Sequence, residues 1–149
     1  MKTPASIAGH PIHPMLVPLA IGLWIFSFVC DLIHLRQGAD PVWSTVALYT
    51  MGGGIIGALL AAVPGLIDLL SLPEQPRKTA IAHMSINLVI VTLYVVNFWM
   101  RVRSPENPGG LVWLSLLCIA MLVVSGWLGG KLVYEYGVAV GPETPTIRR

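Results

Sequence analysis

Four long apolar stretches, punctuated by short runs of proline, glycine and charge, set the pattern of the chain. They run roughly from Met15 to Leu35, Trp43 to Leu70, Ile81 to Met100 and Leu111 to Tyr134. At ~1.5 Å of rise per residue, each can cross a hydrocarbon core of about 30 Å as a helix. The breaks between them are Gln37-Gly38-Ala39-Asp40-Pro41, Pro73-Glu74-Gln75-Pro76 and Ser104-Pro105-Glu106-Asn107-Pro108-Gly109-Gly110. Such short connections predict antiparallel neighbours. The expected fold is an all-α integral membrane protein: a four-transmembrane-helix up-down bundle over residues 1–141, with a loose polar tail over 142–149.

Composition agrees with this pattern. Of 149 residues, 55% are hydrophobic and only 11% charged, too few charges to coat a soluble fold of this size. The lipid bilayer is therefore the first partner. A net charge of +2, with no basic run, argues against nucleic acid. Cys30 and Cys118 both fall inside apolar stretches, so neither a disulfide framework nor a cysteine-rich metal site is expected. The first apolar run continues well past signal-peptide length, without a small-residue cleavage site, and reads as a retained helix. Basic residues divide six against three: Lys2, Arg77, Lys78, Lys131, Arg148 and Arg149 on the side of the N-terminus, Arg36, Arg101 and Arg103 on the other. The positive-inside rule then puts both termini in the cytoplasm.

Two finer patterns suggest an internal repeat. On a helical wheel of ~100° per residue, His83, Asn87, Tyr94, Asn97 and Arg101 share one stripe, which must face the bundle interior. His13, Trp24, Ser27 and Asp31 form the same stripe on the first helix, offset from His83, Tyr94, Asn97 and Arg101 by seventy. Val42-Trp43 and Val112-Trp113 show the same offset. Two parallel helical hairpins related by an axis along the membrane normal would then oppose His13 to His83 and Asp31 to Arg101. Chance likeness between apolar helices explains the match as readily as duplication. On the second helix, Gly53, Gly57, Ala61 and Gly65 recur at every fourth position, a close-packing seam, and Pro64 is expected to kink it.

The residues that could carry chemistry gather towards the N-terminal side. Gly9-His10-Pro11-Ile12-His13-Pro14 opens the first helix. A residue before proline is pushed out of the α region, so both histidines are expected in extended backbone, with His13 as N-cap and Pro14 as the first helical residue. His10, His13, Asp68, His83, Asn87, Lys131 and Glu135 should share that face, with Gly126, Gly129 and Gly130 leaving room for a bulky group. Two imidazoles opposed across a bundle suit the axial positions of haem b, with Lys131 or Arg77 near the propionates. Equally, neutral imidazoles suit a transition metal, with Asp68 as a carboxylate ligand or as the group that orients a ligand. His13 and His83 are the expected pair and His10 the substitute. His34 reads as a surface residue at the opposite face, and Asp68 alternatively snorkels beside Arg77 and Lys78. Ser27, Ser85, Ser115 and Ser125 read as helix-packing serines, and no catalytic constellation appears.

Gly9-His10-Pro11-Ile12-His13-Pro14, Asp31, Val63-Pro64-Gly65-Leu66-Ile67-Asp68, His83 with Asn87, and Ser125-Gly126-Trp127-Leu128-Gly129-Gly130 with Val133-Tyr134 resemble the bacterial membrane family called domain of unknown function 2231. The resemblance covers nearly the whole chain. It implies a small four-helix protein of the bacterial inner membrane without an established activity. Some relatives are joined to a Rieske-type iron–sulfur domain, which implies a redox setting. Many relatives carry a histidine after the Val-Tyr pair, where this chain has Tyr136. The expected function is a haem- or metal-binding subunit in electron transfer, working in a redox membrane complex or as a homo-oligomer. The alternative is a cofactor-free structural or assembly subunit of a larger membrane complex. A proton pathway along the polar stripe is weaker, because the polar groups thin out mid-membrane.

Overall fold

A computed structural model describes residues 2–36, 40–104 and 109–140, with 109 and 110 described by backbone alone. The polar tail expected over 142–149, Arg148 and Arg149, and most of the first and third breaks lie outside the described residues. Four helices carry the fold: α1 (Ile12–Arg36), α2 (Pro41–Ser71), α3 (Glu74–Arg103) and α4 (Gly109–Tyr134). All four are long and apolar enough to span a membrane. Leu19, Phe26, Ile56, Leu59, Val123 and Trp127 are among the many large apolar residues on the outer surface, as a lipid solvent requires.

The helix ends follow from local chemistry. Asp40 caps α2, its carboxylate accepting from the N–H of Val42 at 2.9 Å, and Pro41 follows where no donor is needed. Leu72-Pro73 is the whole connection to α3. At the end of α4, Gly137 has φ +62° and donates to the Val133 carbonyl, while Val138 donates to that of Leu132. The first bond, with Gly137 in the left-handed conformation, is an αL cap, and Val138 and Leu132 make an apolar contact beside it. Tyr136 packs against the same cluster, with Leu69, Leu72 and Ala80. Pro64 lies inside an α2 that stays helical on both sides. It leaves the carbonyl one turn before it without a helical donor.

A short antiparallel hairpin precedes α1: β1 (Ser6–Ile7) pairs with β2 (His10–Pro11), with Ile7 opposite His10. The sequence pattern shows no sign of it, since two-residue strands have no periodicity to read. Ala8 (φ +50°) and Gly9 (φ +81°) make its two-residue turn, both with the positive φ that such hairpins need. His10 is extended as expected, but His13 is not an N-cap: the helix has begun at Ile12, whose N–H donates to the Ala5 carbonyl. The clash that proline imposes on the preceding residue is overcome by tertiary contacts of the His13 ring described below.

The helices form a ring in which each packs on its two neighbours and most extensively within the hairpins α1–α2 and α3–α4. Across the ring, α1 and α3 meet through side chains. Trp24 stacks on Tyr94 with ring centroids 4.3 Å apart and planes 11° from parallel. Arg101 binds Asp31 in bidentate fashion, with Nη2–Oδ2 at 2.8 Å. Residues seventy apart thus oppose each other in successive layers. The burial class of each residue from 15 to 29 equals that of its counterpart from 85 to 99, position for position.

The offset is different for the second helix of each hairpin. Ser27 donates to the carbonyl of Ala47, and its counterpart Asn97 to that of Leu111. Trp24 lies on Gly54, where a Cβ would come within 2.5 Å of the indole. Ala47, Met51, Gly54, Ala61 and Asp68 on α2 are buried as Leu111, Ser115, Cys118, Ser125 and Leu132 are on α4. Each pair is separated by 64. The Val42-Trp43 and Val112-Trp113 match is therefore not structural, because the chain from Ser27 to its acceptor Ala47 is six residues longer than that from Asn97 to Leu111.

Candidate functional site

The layer nearest the N-terminus holds the two imidazoles. Their ring centroids lie 6.4 Å apart, with planes at 90°. Each ring is seated on the partner helix of its own hairpin in the same way. His13 Nδ1 donates to the Ala61 carbonyl at 2.8 Å, and His83 Nδ1 to the Ser125 carbonyl at 2.9 Å. One turn further on, Gly65 and Gly129 provide the space. A Cβ at Gly65 would come within 2.8 Å of His13 Nδ1, and one at Gly129 within 3.3 Å of His83 Cε1. Ala61/Gly65 and Ser125/Gly129 are again 64 apart. The glycines expected to leave room for a bulky group thus serve differently. Gly129 is filled by the His83 imidazole, as Gly65 of the α2 seam is by that of His13, while a Cβ at Gly126 would meet nothing within 4 Å.

A carbonyl can only accept, so in the neutral rings both Nδ1 atoms carry the proton and both Nε2 atoms keep a lone pair. This is how a metal-ligating histidine is normally held, with its second nitrogen tied to a backbone carbonyl or carboxylate. The His83 ring has further partners. Ser125 Oγ lies 3.1 Å from Nδ1, and Asn87 Nδ2 donates to Ser125 Oγ at 2.6 Å and to the His83 carbonyl at 2.8 Å. Asn87 Nδ2 also lies 3.3 Å from His83 Nε2. An amide nitrogen has two hydrogens, and the two shorter bonds use them. The Ser125–His83 contact is not a nucleophile–base pair. Nδ1 holds its proton towards a carbonyl and cannot take one from the hydroxyl.

The other expected residues are elsewhere. Asp68 is buried, and its Oδ1 accepts from the Ala5 N–H at 2.9 Å. It pins the N-terminal segment and does not snorkel beside Arg77, which donates to the Leu70 carbonyl. His10 is exposed on the hairpin, bonded to the Ala8 carbonyl two residues away. A shallow apolar hollow beside it, lined by Ile7, Ile12, Met15 and Leu16, does not reach the imidazole pair. Lys131 pairs with Glu135 at 3.5 Å, one turn along α4. His34 is buried rather than superficial, since its Nδ1 donates to the Asp40 carbonyl across the loop between α1 and α2. Among the described residues no group of three or more His, Cys, Asp or Glu is placed to hold a metal ion.

Sequence reasoning placed Gly129 on this face but missed Ser125, Ala61 and Gly65 as parts of this layer. A signal existed: a small residue followed four positions later by glycine occurs at 61/65 and at 125/129. It is invisible at an offset of seventy.

A second polar layer closes the opposite end. Arg101 Nε donates to Asn97 Oδ1 at 2.8 Å, and Asn97 Nδ2 to Ser115 Oγ at 3.0 Å. Between the layers lie Ile90, Met51, Ala20 and the Trp24–Tyr94 stack, an apolar plug that separates the polar ends of the bundle.

Fold and layers together define a multi-pass membrane protein: a four-helix bundle of two like hairpins with a histidine pair in one end layer. The chain belongs to the family described as predicted membrane protein (DUF2231), which it matches over residues 9–142. No curated protein and no solved structure matches it.

Proposed function

We propose that the protein is a metal-binding membrane subunit in which His13 and His83 hold a redox-active centre through Nε2. Its setting is the cytoplasmic face of the bacterial inner membrane, with both termini inside and electron transfer as the role. One observation carries this reading: the two neighbouring imidazoles each give Nδ1–H to a backbone carbonyl and so keep Nε2 as a donor atom. The orientation rests on the basic residues. Arg101 is consumed by Asp31 inside the bundle, which leaves the distal side poorer in free positive charge than a plain count suggests.

Haem b and a simple transition-metal ion make different demands. A porphyrin between the rings needs a slot, and the space at Gly65 and Gly129 beside the rings is taken by the imidazoles. A metal ion needs only the two nitrogens plus further ligands from water or a partner protein, so the ion is the better fit. His10 is exposed on the hairpin, and Asp68 and Lys131 are bonded elsewhere, so the three do not enter this set.

The test is an absorption spectrum and metal analysis of the detergent-purified protein, as isolated and after incubation with Co(II), Cu(II), Zn(II) or haemin. One metal or haem per chain is expected, lost in His13→Ala and His83→Ala and retained in His34→Ala. Protein that takes up none of the four in stoichiometric amount overturns the reading and leaves the cofactor-free structural subunit in its place.

A further inference from the structure

The two hairpins agree in how they seat their imidazoles and disagree in one respect. Asn87 and Ser125 surround His83, and the positions equivalent to them around His13 are Val17 and Ala61. The offsets of 70 and 64 that align the buried positions make this correspondence. His13 Nδ1 therefore has one acceptor, the Ala61 carbonyl. His83 Nδ1 has two, the Ser125 carbonyl at 2.9 Å and Ser125 Oγ at 3.1 Å. The hydroxyl is in turn held by Asn87 Nδ2 at 2.6 Å, and the Asn87 amide is held by the His83 carbonyl at 2.8 Å.

That closed loop has a chemical consequence. An imidazole bonded through Nδ1 alone can flip about its ring bond or exchange tautomers at the cost of one hydrogen bond. An imidazole whose Nδ1–H faces two oxygens, one oriented by a third residue, must break a network to do the same. We infer that Asn87 and Ser125 are positioning residues that lock His83 as the Nδ1–H tautomer with Nε2 as the fixed donor, while His13 is the adjustable partner of the pair. The inference deepens the metal-site reading by giving its two histidines different duties. His83 is the permanent ligand, and His13 is the one that yields when another ligand or a redox change alters the coordination. His13 is also placed to be moved, because only Ile12 separates it from the N-terminal hairpin.

Asn87 acts on this network through its amide nitrogen, whose two hydrogens go to the His83 carbonyl and to Ser125 Oγ.

Nitrogen-15 NMR of the histidine side chains in the full-length, detergent-solubilised protein reads tautomers directly. His83 should show one sharp Nδ1–H tautomer across the neutral pH range, and His13 the same tautomer as its major form but broadened by exchange. Asn87→Val with Ser125→Ala installs around His83 the side chains that surround His13, and should move the His83 shifts to the exchanging pattern. Val17→Asn with Ala61→Ser should sharpen His13 into the single Nδ1–H form. A His83 signal that stays locked in Asn87→Val/Ser125→Ala, or that matches His13 in the unmodified protein, overturns the assignment. Both readouts are taken without metal, so they stand or fall separately from the metal-site reading. Co(II) titration of the same variants then adds the ligand test: the Asn87→Val/Ser125→Ala protein should lose affinity at least tenfold, the lower end of the range for orienting groups around metal-bound histidines.

Discussion

Replacing Arg101 with glutamine should destabilise the bundle more than replacing Asp31 with asparagine, and the double replacement should cost no more than the worse single one. Arg101 and Asp31 are 6% and 2% exposed, so neither recovers solvation in place. Removing one partner of a buried pair costs ~3–5 kcal/mol, because the other charge is left uncompensated. The structure ranks the two. Without Asp31, Arg101 keeps Asn97 Oδ1 at 2.8 Å and Ser115 Oγ at 3.3 Å, which places Asp31→Asn near the lower end. Without Arg101, both carboxylate oxygens of Asp31 lose the guanidinium that binds them, which places Arg101→Gln near the upper end. Additive effects would therefore sum to about 8 kcal/mol, whereas the neutral pair should lose about 5 kcal/mol or less. Reversible unfolding in mixed micelles, as a double-mutant cycle, measures all three values. Additivity within ~0.5 kcal/mol would refute the idea that the two charges exist for each other.

The glycine seats give a steric prediction. Gly54→Ala drives a methyl to 2.5 Å from a fully packed indole and should cost ~1–3 kcal/mol in the same assay, whereas Gly126→Ala meets open space and should be neutral or slightly stabilising through helix propensity. The N-terminal clasp gives another: Asp68→Ala removes the acceptor of the Ala5 N–H, so hydrogen exchange at Ala5 should accelerate by ~10-fold or more while α2 stays protected. Unchanged exchange at Ala5 would mean that the hairpin is held by its other contacts.

Much of this protein can be read without coordinates. Four apolar runs in a chain so poor in charge permit a helical membrane bundle and little else, because lipid leaves no other way to satisfy the backbone. The stripe from His83 to Arg101 and its echo from His13 to Asp31 carried enough information to oppose Asp31 to Arg101 and Trp24 to Tyr94 across the bundle. A polar side chain in an apolar helix must turn inward, so helical periodicity alone predicts which faces meet.

What tertiary structure decided is where the offset changes and what each histidine touches. The second helices of the hairpins align at 64 because packing registers side chains against the partner helix, and connection lengths do not constrain that register. For the same reason Ser125 became a neighbour of His83, Gly65 a seat for the His13 ring and Asp68 a clasp for Ala5. His13 entered the helix against the local preference of a residue before proline, because a carbonyl of α2 offered its ring a partner. Sequence determines which residues face inward; only the packed bundle determines which inward-facing residues meet, since that depends on helix register at the scale of one side chain.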